Sequence, residues 1–185
     1  MMQVIEWHQF LEKGLPLHGK QSAMTVGIFD GIHRGHQALI NSIIEYGSKA
    51  DLVPVVVTFK QNYKGGDIQT FPQKLEMLEK LGIKMTIVID FSDDFRQMPG
   101  VEFLELLLKH GNVGFFAAGS NFQCGRQLDT NSAEIQRFFA VFGIPVSIVP
   151  EVTEGSLPIS SSRIRAALAA GEHPLAQAML GYDKK

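Results

Sequence analysis

Cysteine is almost missing from this sequence: Cys124 is the only one among 185 residues. No internal disulfide framework can therefore hold the fold, which suits a reducing compartment. An excess of either charge is missing too, since 17 basic residues face 19 acidic ones for a net charge of −2. That balance excludes a broad basic surface for duplex nucleic acid, although a local anion site needs only a few residues. No apolar run approaches the roughly 18 residues that a membrane-crossing helix requires. The segment Met1–Phe10 carries Glu6, Trp7 and His8, with no basic stretch leading into an apolar one, and does not read as a signal peptide. Together these absences predict a soluble, cytoplasmic protein with neither nucleic acid nor a membrane as partner.

Hydrophobic residues make up 45% of the chain and charged residues 19%, an ordinary balance for a globular domain. The length suits one core, so residues 1–185 are read as a single domain. Short β-branched runs predict strands over Ala23–Phe29, Val53–Phe59, Met85–Ile89, Val113–Ala118 and Pro145–Val149. Their near-continuous apolar character belongs to strands covered on both faces. Helical stripes alternate with them: Leu39, Ile40, Ile43 and Ile44; Leu75, Leu78 and Leu81; Val101, Leu104, Leu107 and Leu108; and Ile135, Phe138, Phe139 and Phe142. These stripes are read as core. Two more helices are predicted over Ser161–Ala170 and Pro174–Leu180. Such alternation predicts an α/β fold with a doubly wound parallel sheet. Ligands of such sheets bind beyond the carboxyl ends of the strands, where strand order reverses. The polar stretch Gln61–Gln69 is the one loop long enough to act as a mobile lid.

The first predicted strand runs straight into Gly31-Ile-His-Arg-Gly-His36, after which a helix begins. Gly31 and Gly35 allow a tight turn and a close backbone approach to a ligand. The helix start offers free N–H groups and a positive dipole end to an anion. His33 and His36, three apart, would add two imidazoles on one face, able to hold a phosphate and the charge that builds on it. His-x-x-His could instead ligate zinc, but no Cys, Asp or Glu cluster with metal spacing follows, so no metal ligand is assigned. A Walker loop is excluded by the lack of Gly-Lys-Ser or Gly-Lys-Thr.

A second anion site is predicted at Ile159-Ser-Ser-Ser-Arg-Ile-Arg165, which follows the last strand and opens a helix. Its serines supply an N-cap and hydroxyl donors, and Arg163 and Arg165 add charge. A serine-capped surface helix with solvated arginines is the plain alternative. It loses weight because both segments follow parallel strands at one sheet edge.

From Gly27 to His36 the chain matches Gly-x-Phe-Asp-Gly-x-His-x-Gly-His throughout, and Ile159–Arg165 fits Ile-Ser-Ser-Thr-x-Ile-Arg with Ser162 in place of Thr. Phe71–Ile89 is similar to a Lys-x-x-Leu-Leu-x-x-Leu-Gly-Val region, and Gly119-Ser-Asn-Phe-Gln-Cys-Gly125 to a Gly-x-Asp/Asn-Phe-x-Phe-Gly loop. In these segments the sequence resembles the adenylyltransferase module of prokaryotic FAD synthetases, within the HxGH nucleotidyltransferase superfamily. The resemblance implies a Rossmann-like fold and transfer of AMP from ATP to FMN, giving FAD and pyrophosphate. It implies His33, His36 and Arg165 as catalytic residues. It implies ATP contacts at Gly27, Phe29, Asp30, Gly35, His36, Ser160, Ser161, Ser162 and Arg165. FMN contacts are implied at Asn62, Asn121, Phe122 and Gln123. Magnesium would arrive with ATP, carried largely by the phosphates.

Thr58-Phe-Lys-Gln-Asn-Tyr63 stands where the family commonly has Thr-Phe-x-Pro-His-Pro, and Gln123 and Cys124 depart from its acceptor loop. Leu180-Gly-Tyr-Asp-Lys-Lys185 stands where Leu-Gly-Arg-Pro-Tyr commonly leads into a riboflavin kinase. Kinase activity is not expected from these residues, and a riboflavin kinase on a separate polypeptide is one partner this leaves open. Two alternatives also stay open: a nucleotidyltransferase with another phosphorylated acceptor, or a flavin- or nucleotide-binding protein with impaired catalysis.

Overall fold

The computed structural model describes residues 1–61, 66–90 and 93–182. The chain opens on a short strand, β1 (Gln3–Glu6), and a helix, α1 (Trp7–Lys13). Next come β2 (Ser22–Val26), α2 (Arg34–Ala50), β3 (Val53–Phe59), α3 (Phe71–Leu81) and β4 (Met85–Ile89). They are followed by α4 (Asp93–Gln97), α5 (Gly100–Gly111), β5 (Val113–Gly119), β6 (Gln123–Cys124) and β7 (Thr130–Asn131). The last part holds α6 (Ser132–Val141), β8 (Val146–Val149), β9 (Thr153–Glu154), β10 (Leu157–Pro158), α7 (Ser161–Ala169) and α8 (His173–Leu180).

Six strands form one parallel sheet in the order β1-β4-β3-β2-β5-β8. The chain steps outward from β2 through β3 to β4, then returns to β5 on the other side of β2. Strand order therefore reverses between β2 and β5, the doubly wound arrangement that opens a crevice at their carboxyl ends. Alternate side chains feed opposite cores, as strand geometry demands. Val55 and Val57 join Phe10, Leu104, Leu107 and Phe139 on the face carrying α1, α5 and α6. Val56 joins Leu39, Ile40, Ile43 and Leu78 on the face carrying α2 and α3. A third, smaller core lies between α7 and α8, where Ile164, Ala167, Met179 and Leu180 pack with Ile68 and Ile159.

Several boundaries differ from the sequence expectation for local reasons. The first predicted strand ends at Val26 rather than Phe29, because Phe29 takes a left-handed φ of 53° and turns the chain out of the sheet. Strand β1 has four residues at the sheet edge, with Val4 43% exposed and only Ile5 buried, so it offers no apolar run to detect. Val101 and Phe142, counted in core stripes, are exposed at 49% and 54%. Val101 sits in the first turn of α5, and Phe142 caps α6 beyond its last turn. The expected lid Gln61–Gln69 falls partly outside the described residues, and its described end is anchored. There the Ile68 N–H donates to Asp30 Oδ1 at 2.8 Å, and Gln69 Nε2 donates to the Phe29 carbonyl at 3.1 Å.

Candidate active site

The carboxyl ends of β2 and β5 open onto a cavity of ≈ 540 Å³, within the range of small-molecule sites. One end is built from the turn after β2 and the start of α7, with Gly27, Asp30, His33, His36, Ser160 and Arg165 on its wall. The other end is aromatic and apolar, with Phe59, Phe95, Met98 and Phe103 facing the loop 119–125 that follows β5.

The turn after β2 is strained and heavily tied. Phe29 and Ile32 carry positive φ values of 53° and 33°, which non-glycine residues hold only when their surroundings over-determine them. Here the ties are side-chain donors to successive carbonyls. Thr58 Oγ1 and Lys74 Nζ donate to Ile28, Gln69 to Phe29, Ser161 to Asp30, Tyr182 to Gly31 and Gln37 to Ile32. Five consecutive carbonyls are thus held by groups from β3, the approach to α3, α3, α7, the segment after α8, and α2. Gly27 lies against the Phe29 ring, where an added Cβ would come within 3.0 Å of it.

His33 caps α2, its Nδ1 accepting the His36 N–H at 3.3 Å. A neutral ring that accepts at Nδ1 carries its proton on Nε2, leaving that atom as a donor. The two imidazoles stack with centroids 3.6 Å apart and planes 16° from parallel. Burial lowers the pKa of His33 from 6.5 to about 4. His36 is held well below its ordinary value by burial first, then by the neighbouring charges of His33 and Lys74. Nδ1 of His36 is buried without a hydrogen-bond partner among the described residues. Both rings are therefore neutral at pH 7, and each offers hydrogen-bonding capacity rather than a fixed charge.

The second anion segment docks onto the first. Ser160 caps α7 by accepting the Arg163 N–H at 3.2 Å. Ser161 Oγ donates to the Asp30 carbonyl at 2.8 Å, and Arg165 Nη1 meets Asp30 Oδ2 at 2.6 Å. Asp30 is buried, and Arg165 is only 19% exposed, so this pair is shielded from water. Arg165 also donates to Ser162 Oγ at 3.3 Å.

Two expected roles change with these contacts. Arg163, expected to add charge at the anion site, instead spends its guanidinium on the carbonyls of Glu154, Leu157 and Pro158, bracing the β9–β10 hairpin. Phe29, expected among the nucleotide contacts, is fully buried, with its ring edge-on to His36 at 5.2 Å. It backs the site instead of lining it, because the positive φ swings its side chain beneath Gly27.

Toward the aromatic end, Asn121 Nδ2 donates to Glu151 Oε1 at 2.8 Å, and the Phe122 N–H closes a turn onto the Gly119 carbonyl at 3.0 Å. Gln123 pairs with Asn131 in the β6–β7 ribbon and remains exposed. Gly125, at φ 83°, lies directly against Gly100 and Asp129, whose carboxylate caps the Gly100 N–H at 2.9 Å. Burial pushes the Cys124 thiol up to about 12, so it fills space here as a neutral thiol. Asn62 lies outside the described residues.

Sequence reasoning passed over Phe59, Phe95, Met98 and Phe103 on the cavity wall, since aromatic and apolar residues there look like core, and over Arg96, which no motif marked. It also passed over Lys74 and Tyr182. The signal for Lys74 was present: it stands four residues before Leu78, on the buried stripe of α3.

The family model for FAD synthetase matches residues 16–163, which includes the first anion segment, the loop after β5 and the second anion segment as far as Arg163. The chain belongs to the FAD synthetase family. Among relatives of this family, the bifunctional riboflavin kinase/FMN adenylyltransferase of Escherichia coli strain K12 is 29% identical over 168 residues, covering 86% of this chain and 54% of that protein. The protein of the same description from Listeria monocytogenes is 28% identical, covering 86% and 53%. The chain thus spans about half the length of the curated relatives it matches. Among solved structures, the macrolide-efflux protein from Streptococcus pneumoniae superposes with a TM-score of 0.85 at 27% identity, over 98% of this chain and 60% of that one. Among the described residues no helix is long and apolar enough to cross a membrane.

Proposed function

We propose that this chain transfers AMP from ATP to FMN, releasing pyrophosphate and forming FAD. The observation that carries the proposal is the joining of two anion-binding helix starts, by Ser161 and Arg165 on Asp30, beside an aromatic chamber in the same cavity. The arrangement suits a triphosphate at one end and a planar, apolar ring system at the other.

In this mechanism the FMN phosphate is largely ionised at neutral pH, because the second pKa of a phosphate monoester is about 6. One of its oxygens attacks the α-phosphorus of ATP. A new P–O bond forms there as the bond to the β-phosphate oxygen breaks, and pyrophosphate leaves. The nucleophile needs no general base, so the protein supplies alignment and charge stabilisation. His33 and His36 act as neutral hydrogen-bonding groups toward the α-phosphate, together with the free N–H groups at the start of α2. Ser160, Ser162 and Arg165 take the outgoing pyrophosphate, with Gly27 and Gly35 giving close backbone approach and Asp30 fixing Arg165. Asn121, Phe122 and Gln123 face the flavin, and Asn62 keeps the acceptor role that its sequence position implies.

Magnesium enters with ATP as part of the substrate, and the phosphates carry most of its ligands. Among the described residues no three His, Cys, Asp or Glu side chains form a metal-binding group, and both Asp30 oxygens already have donors. A cytoplasmic location and FMN supply by a riboflavin kinase complete the proposal.

The test is pyrophosphate release from ATP and magnesium with FMN, riboflavin, phosphopantetheine and nicotinate mononucleotide offered separately. Release with FMN alone is expected. Release with a different acceptor and none with FMN overturns the acceptor assignment. Flavin binding with no release for any acceptor overturns the catalytic one.

A further inference from the structure

Lys74 is an ammonium buried to 4% exposure, and the reaction proposed above makes no use of it. It reaches from α3 to the carboxyl ends of two neighbouring strands. Its Nζ donates to the Ile28 carbonyl at 2.8 Å and to the Phe59 carbonyl at 2.9 Å. Both residues line the cavity, at the ends of adjacent strands. Ile28 leads into the His33–His36 turn, and Phe59 stands in the aromatic chamber, its ring edge-on to Phe95 at 5.8 Å.

We infer that Lys74 is a positioning residue that clamps the nucleotide wall and the acceptor wall of the cavity to one another. The inference rests on the adenylyl-transfer reading of the site. Parallel strands β2 and β3 are held by ladder hydrogen bonds as far as the sheet extends, and Gly27 makes one more, from its N–H to the Val57 carbonyl at 3.1 Å. Beyond that point Thr58 Oγ1 donates to the Ile28 carbonyl at 3.1 Å, and Lys74 ties Ile28 and Phe59 together through one buried group. A displacement of about 1 Å between attacking and receiving atoms is enough to slow an aligned reaction about 100-fold. The clamp therefore acts on turnover more than on binding of either substrate.

Its charge has a second consequence. Asp30 and Asp67 lie near enough to favour the charged amine, while burial opposes it and brings the Lys74 pKa down to about 8. On its other side Lys74 raises the local potential at His36 and helps keep that imidazole neutral.

The test compares the full chain with Lys74→Met and Lys74→Arg. Pyrophosphate release with ATP and FMN is measured alongside ATP affinity by calorimetry and the titration of His36 by NMR without substrates. Lys74→Met is expected to lower kcat roughly 10- to 100-fold, change ATP affinity by less than about threefold, and shift the His36 titration upward. Lys74→Arg, which keeps the charge and donors, should recover part of kcat and leave His36 close to its original titration. Wild-type kcat in Lys74→Met overturns the inference. So does a loss confined to ATP affinity with no movement of His36, which marks a merely structural lysine. Should Lys74→Met fail to fold, Lys74→Arg decides: a several-fold fall in kcat at unchanged ATP affinity is expected, and unchanged kcat overturns the clamp. Absence of turnover in the wild-type protein instead defeats the parent reaction, and the His36 titration still reports on the charge.

Discussion

Acidification should destabilise this protein through two histidines before its carboxylates are protonated. His33 is 6% exposed, and burial holds its pKa near about 4 against 6.5 for a free imidazole. As pH falls below 6.5, the unfolded chain takes up a proton that the folded chain refuses until about pH 4. Stability therefore rises with pH across that window: it is complete above about 6.5 and is lost progressively toward 4. The full effect of His33 is about 3 kcal/mol, a large share of the 5–15 kcal/mol typical of a domain. His36, also held low, adds in the same direction. Urea unfolding of wild type and His33→Gln at pH 7, 6 and 5, without nucleotide, isolates the His33 part. Glutamine keeps an acceptor for the His36 N–H and does not titrate. Wild type is expected to lose about 2 kcal/mol more than the variant between pH 7 and 5. Equal slopes would refute the claim that the folded protein holds His33 neutral.

Two further outcomes follow from the same contacts. His36→Ala should reduce kcat about 100-fold or more while ATP affinity changes far less, as seen by pyrophosphate release and calorimetry; near-normal turnover contradicts its place at the α-phosphate. Arg165→Met removes the guanidinium paired with buried Asp30 and should cost about 3–5 kcal/mol in urea unfolding, with part regained in the double variant carrying Asp30→Asn.

Much of the architecture was legible because the central strands are apolar on both faces and the helices between them carry clean stripes. The reversal of strand order between β2 and β5 required the pairing itself, which periodicity does not encode. The two segments proposed to bind anions stood out by local chemistry: glycines and histidines before one helix, serines before another. That they are joined through Asp30 was not visible, since Arg165 and Ser161 are more than 130 residues away in sequence from it. The different fates of Arg163 and Arg165 depend on helix phase together with the position of the β9–β10 hairpin. The aromatic chamber stayed hidden because Phe59, Phe95 and Phe103 have the composition of core. That Phe29 backs the cavity from the core was not visible, because its left-handed backbone is unusual for a bulky residue and no sequence rule would assign it there.

The central claim is that the α-phosphate of ATP passes to FMN within this cavity. Incubation of the purified chain with FMN, magnesium and ATP labelled at the α-phosphate tests it directly. The label should appear in FAD, with one pyrophosphate released per FAD formed and the signal largely lost in His36→Ala. Label that remains in ATP, or that moves to a product other than FAD, contradicts it.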